Sequence, residues 1–175
     1  MSMVFRFRML SDENDNFVRD YEVLYDTTLL DFHHFILETL EYEPCMASFF
    51  TADAMWEKQR EFTLMAMGDG SGGEEQPLPM DQVKLGQIMH HIRDRLIYLF
   101  DLFGDRAYYL ELTGVYRVDP EASYPREIFA RDEVPDQYDP SKNRSEAEFS
   151  EGSIYDQMMD EFSDFEGDDN YDDEY

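Results

Sequence analysis

The sequence predicts an α+β fold: one domain with a five- or six-stranded, mostly antiparallel sheet and one main helix across it, followed by an acidic C-terminal extension. Three observations lead there. Residues near the N-terminus alternate apolar and polar, residues 29–41 repeat their apolar positions at a helical spacing, and two aromatic-rich runs meet at Gly104 and Asp105. A chain of 175 residues holds one globular core and an appendage, and is short for two full domains.

Met3, Phe5, Phe7 and Met9 fall on one side of an extended chain and Val4, Arg6 and Arg8 on the other, the pattern of a strand with one buried face. "SDENDN" then turns the chain into a second extended run, "FVRDYEVLY", so the two runs form a β-hairpin. Asp12, Asn14 and Asn16 resemble a calcium loop in part. Phe17, however, stands where that loop needs Gly, and Val23 where it needs a bidentate Glu, so the three are read as turn formers.

Thr28 and Asp31 make a capping box ahead of "LLDFHHFILETLE". On a helix Leu29, Leu30, Phe32, Ile36, Leu37 and Leu40 share one face, with Asp31, Glu38 and Glu41 outside it, which suits a helix laid on a sheet. His33 falls near the middle of that face and His34 at its edge; a second pair stands at His90 and His91. Helical neighbours diverge by about 100°, so neither pair can chelate one ion from one face unaided, and no metal is assigned. His33 reads as a hydrogen-bonded core histidine.

"ASFFTA" and "EFTLMAM" are strand-like, with Trp56 between them as an anchor. In the next stretch Gly68, Gly70 and Gly73 match the spacing of a dinucleotide-binding turn. The segment leads into Glu74, Glu75 and Pro77 instead of a helix, and Asp69 would repel a pyrophosphate, so it reads as a connection and no cofactor is assigned. "QVKLGQIMHHIRD" predicts a short helix that packs through Val83, Leu85, Ile88, Met89 and Ile92. "RLIYLFDLF" and "RAYYLELTGVYRV", joined at Gly104 and Asp105, make a central hairpin.

Charge narrows the function. The formal net charge is −27; residues 1–144 hold all 14 Lys and Arg against 28 Asp and Glu, and residues 145–175 hold 13 acidic groups and no base. Direct binding to nucleic-acid phosphates needs clustered bases, which are outnumbered throughout. The same field attracts a basic protein, resists anionic membranes and favours solubility. Cys45 is alone, so no internal disulfide forms, and a reducing, cytoplasmic setting is expected in the absence of an apolar run long enough to span a bilayer. No G-x-S-x-G, H-E-x-x-H or phosphate-binding loop is present. Asp101 and Asp105 flank the hairpin turn, where aspartates commonly accept backbone hydrogen bonds, so no catalytic residue is assigned.

"TTLLDFHHFI" at 27–36, Leu85, "YLFDLFGDRAYYLEL" at 98–112 and "YPREIFARDEVPDQY" at 124–138 together resemble the plasmid Ri open-reading-frame-three-like family, also labelled insertion-element passenger or TnpR-like, over about residues 3–138. In that family a threonine-led helix carries a Leu-His pair, matched here by Phe32 and His33. A strand ends in Tyr-Asp-Phe-Gly-Asp, approximated by Phe100, Asp101, Phe103, Gly104 and Asp105 with Leu102 inserted. The resemblance implies the fold and a link to mobile elements, and brings no activity.

Beyond a globular domain at 1–138, residues 139–152 read as a linker and residues 153–175 as an acidic amphipathic helix with a disordered end. Ser153 and Asp156 resemble a capping box, and Gly167 supplies a stop. On a helical wheel Ile154, Tyr155, Met158, Met159, Phe162 and Phe165 occupy one side, and Asp156, Asp160, Glu161 and Asp164 the other. Such a stripe seeks cover on its own domain or in the apolar, basic-rimmed groove of another protein. The expected function is therefore a non-catalytic interaction or adaptor protein that presents this helix to a basic partner or to its own domain. An accessory factor of a mobile element acting through a partner is the first alternative, and an enzyme of unrecognised type using Asp101, Asp105 or His33 the second.

Overall fold

A computed structural model describes residues 2–65 and 76–138. The chain divides after Gln137, and the fold below is that of the first unit. Strands β1 (Met3–Ser11) and β2 (Val18–Leu24) form the expected hairpin, with Arg6 opposite Glu22, Phe7 opposite Tyr21 and Arg8 opposite Asp20. In their connection Ser11 Oγ accepts from the Glu13 N–H and Asn14 Oδ1 from the Asn16 N–H, so the polar residues close the turn themselves.

Helix α1 (Leu29–Leu40) starts where Thr28 Oγ1 accepts from the Asp31 N–H at 3.1 Å, and ends at Glu41, whose left-handed φ of 57° lets the Tyr42 N–H reach the Leu37 carbonyl. Its buried face is Leu29, Phe32, His33, Ile36, Leu37 and Leu40. Each such apolar side chain contributes about 1.5–3 kcal/mol relative to exposure. The remaining elements are β3 (Ser48–Ala52), β4 (Lys58–Thr63), β5 (Leu78–Pro79), a 3-10 turn at Met80–Gln82, α2 (Leu85–Ile88), β6 (Arg95–Asp101), β7 (Arg106–Arg117) and β8 (Arg126–Arg131). Their order in the sheet is β5-β4-β3-β6-β7-β1-β2-β8, antiparallel except for the parallel β4–β5 pair.

This corrects the expected α+β architecture of five or six mostly antiparallel strands. The domain is dominated by one mixed, open, eight-stranded sheet with a single main helix. Two strands escaped notice for physical reasons. All six side chains of β8 are exposed, so no buried face imposes alternation on its sequence, and β5 is two residues long. Residues 82–94 also hold only one helical turn. Backbone turns aside at Met89, Arg93 adopts a left-handed φ of 84°, and the Asp94 carboxylate accepts from the N–H groups of both His90 and His91. Gly86 sits in that turn because a Cβ would lie 2.6 Å from the Tyr25 ring and 3.1 Å from its carbonyl.

One face of the sheet packs under α1, where Phe7, Tyr21, Phe49, Phe62, Tyr98 and Leu110 are fully buried. Phe32 of the helix stacks on Phe49 with centroids 5.8 Å apart. On the opposite face Ile97, Leu99 and Ala107 form a smaller cluster under Phe50, Ala52, Trp56 and Tyr109. Trp56, expected as an anchor, lies edge-on to Tyr109 with the Arg95 guanidinium 4.5 Å from its ring centre.

Candidate functional site

The chemically versatile residues of the domain are distributed over three places. On the buried face of α1, His33 Nδ1 lies 2.6 Å from the Tyr98 hydroxyl. Burial, with His34 beside it, pushes the imidazole down to about 4, and burial holds the Tyr98 phenol well above its usual value, so both are neutral at pH 7. His33 is the hydrogen-bonded core histidine expected from the helical wheel. His34, His90 and His91 are exposed, and no group of three metal-ligating side chains exists among the described residues.

Asp101 and Asp105 do not share a site. Asp101 is buried, its Oδ1 accepts from the Gly104 N–H at 2.9 Å, and Oδ2 faces Arg106 at 3.9 Å. A Cβ on Gly104 would stand 2.7 Å from that carboxylate, which explains glycine there. The Asp105 side chain is 81% exposed and meets Lys58 at 3.6 Å on the surface.

The second place, which the sequence reading missed, is a clasp around Arg106. This guanidinium is only 3% exposed and makes two 2.8 Å hydrogen bonds to the Glu13 carboxylate. It also donates to the carbonyls of Asp136 at 2.6 Å and Gln137 at 2.7 Å, and lies 4.9 Å from the Phe100 ring centre. The bonds to Glu13 lead the effects that raise its pKa. Beside it the Tyr42 hydroxyl lies 2.5 Å from that of Tyr108 and donates to the Pro135 carbonyl at 2.6 Å; burial pushes Tyr42 up to about 12. Gln137 completes the grip by accepting from the Glu43 N–H and donating to the Glu43 carbonyl. At the start of the same stretch Arg19, also buried, donates to the carbonyls of Arg131 and Asp132. Residues 131–137 thus form a strap held mainly by polar groups. Cys45 is half-buried, and burial raises its thiol.

The third place is the open face of β1, β2 and β8. Arg6 and Arg126 both bind the Glu22 carboxylate at 2.7 Å, and Arg8 binds Asp20 through two bonds of 2.9 Å. Burial alone would raise Glu22, but the two arginines hold it below the usual carboxylate range. Its remedy for desolvation is complete pairing, and among the described residues no buried side-chain polar atom lacks a partner.

The expected binding stripe, Ile154, Tyr155, Met158, Met159, Phe162 and Phe165, lies outside the described residues, as do the linker and the glycines at 68, 70 and 73. Two sequence signals did point toward the clasp: Arg106 is a lone base among aromatics directly after the Gly-Asp turn, and Tyr42 follows the helix stop. Nothing in the local pattern tells that they meet residues 135–137.

An open eight-stranded mixed sheet with one crossing helix and a clasped C-terminal strap defines the architectural class. The chain belongs to the plasmid pRiA4b ORF-3-like protein family, whose model matches residues 4–139, in keeping with the motifs around Phe32–His33 and the Gly104 turn. A solved crystal structure of a protein of unknown function from Methanosarcina mazei Go1 has a similar fold, with a TM-score of 0.61 and 16% identity over 74% of this chain and 70% of that one. No curated protein matches. Among the described residues no helix is long and apolar enough to cross a membrane.

Proposed function

We propose that this chain is a non-catalytic interaction protein in which the sheet domain serves as a rigid base and the acidic segment at 153–166 engages a basic, apolar-grooved partner. The observation that carries this reading is the clasp. Arg106, Tyr42 and Gln137 are committed to the backbone of residues 135–137 and to Glu43. Residues 131–137 are thereby held on the domain up to the last residue of the first unit. The charge of residues 145–175, 13 acids and no base, selects a cationic partner, and the stripe of Ile154, Met158, Phe162 and Phe165 supplies apolar contact area.

The test uses the full chain and a basic amphipathic Lys/Leu helical peptide. Circular dichroism should register added helix on mixing, and Phe162→Asp should weaken binding about tenfold, the loss expected for one apolar anchor. Binding without helix gain, or equal binding by the variant, counts against the reading. The plasmid in the family's name favours a second use, as a mobile-element accessory that reaches DNA through that partner. The purified chain alone should then give no gel shift, and a tight, salt-sensitive shift would exclude this route.

A further inference from the structure

We infer that the tip of the β6–β7 turn, Leu102 and Phe103, is a second contact for the basic partner, which meets it with the apolar side of a cationic amphipathic helix. The inference rests on the reading above for the partner's chemistry and adds a surface on the sheet domain itself.

Tight turns are ordinarily built from Gly, Asn, Asp, Pro and Ser. This one carries two large apolar residues in succession, Leu102 42% and Phe103 88% exposed, and no other large apolar side chain among the described residues is as exposed as Phe103. The backbone beneath them is fixed. Asp101 Oδ1 accepts from the Gly104 N–H at 2.9 Å, Oδ2 faces Arg106 at 3.9 Å, and Asp105 takes a left-handed φ of 53°. A turn held in this way already presents the pair, so a partner that covers it loses little free energy to ordering.

The surroundings select a cation. The β1–β2 connection lies beside this turn, joined to β7 by the fork between Glu13 and Arg106 and by the Tyr109 hydroxyl, which donates to Asp12 at 3.5 Å. It brings Asp12, Glu13 and Asp15, all exposed, to the end of the sheet where Asp105 is exposed as well. The bases described at this end offset few of them. Arg19 and Arg106 are buried and bonded to the strap, Arg8 is forked to Asp20, and Arg131 donates to the Asn16 carbonyl. Lys58 meets Asp105 at 3.6 Å in a solvated pair, which contributes little. An apolar tip with an acidic rim repels nucleic acid and anionic lipid, and it complements a helix with Leu on one side and Lys on the other.

The experiment is fluorescence anisotropy with the full chain and the labelled Lys/Leu peptide. Leu102→Ser/Phe103→Ser should weaken binding about tenfold, and should weaken it again when added to Phe162→Asp. Met55→Ser, which removes another exposed apolar side chain from the β3–β4 turn, should leave affinity unchanged, and thermal midpoints will show that each variant is folded. Loss at the tip with none from Phe162→Asp would support the tip and count against the acidic segment. The reverse result would overturn the tip and leave the segment's reading in place. Equal loss with Met55→Ser would mean general apolar adhesion and would overturn the site. Binding of the wild type to phosphatidylcholine vesicles, abolished in the double variant, would assign the tip to a lipid surface and overturn the protein partner.

Discussion

Arg106 and Glu13 stand 93 positions apart and meet through two parallel hydrogen bonds of 2.8 Å, with the arginine almost wholly out of solvent. Such a fork joins the β1–β2 connection to β7, and the same guanidinium reaches on to the strap.

Replacing Arg106 by Met removes the fork and both strap bonds and leaves Glu13 without its partner. The expected loss in urea unfolding is about 3 kcal/mol, at the lower end for a broken buried pair because Glu13 is one-third exposed. Amide exchange at residues 132–137 should accelerate in the same variant. Unchanged exchange there would show that the strap is held by something else.

His33 makes stability depend on pH. Its folded value, about 4, lies below the ordinary 6.5, so between these the unfolded chain binds the additional proton. The stabilisation is therefore complete above about pH 6.5 and is lost as the pH falls toward 4, amounting to about 3 kcal/mol across the window. His33→Gln should flatten this slope in unfolding midpoints measured from pH 7 to 4, at some cost in stability at pH 7.

Glu22 acts in a lower window. Its folded value is depressed, so its contribution is present above the unfolded value of 4.5 and is lost as the pH falls through the folded one. Glu22→Gln at pH 7 leaves Arg6 and Arg126 without their shared carboxylate. Because both guanidiniums are partly solvated, a loss of about 2 kcal/mol is expected, measured by denaturant titration.

The N-terminus of α1 offers a simpler check. Thr28→Ala deletes the hydroxyl that accepts from the Asp31 N–H and should cost about 1 kcal/mol. Thr28→Ser should restore most of it, whereas a neutral Thr28→Ala change would mean that the backbone bonds of Leu29 to Val83 and Leu85 to Thr27 fix the helix start on their own.

Elements with a buried face were legible in the sequence. Phe5, Phe7 and Met9 gave β1, Phe32 and Ile36 gave α1, and the aromatic runs around Gly104 gave β6 and β7, because burial writes its period into the residues. β8 was illegible for the opposite reason: its side chains are exposed and its position comes from backbone pairing with β2. The clasp escaped because its partners are main-chain carbonyls at Pro135, Asp136 and Gln137, and a carbonyl has no letter in the sequence. The histidine pairs were separable only where periodicity applied, so His33 was placed correctly while the loop that holds His90 and His91 was drawn as helix.

β8 pairs Phe129 with Asp20 and Glu127 with Tyr21, leaving Ile128 as an extra residue in the ladder. That offset bends the rim and puts its free amides and carbonyls out of step with any flat strand laid against it. An extra residue of this kind disfavours flat pairing by a further strand at the rim where Ile128 and Phe129 lie open.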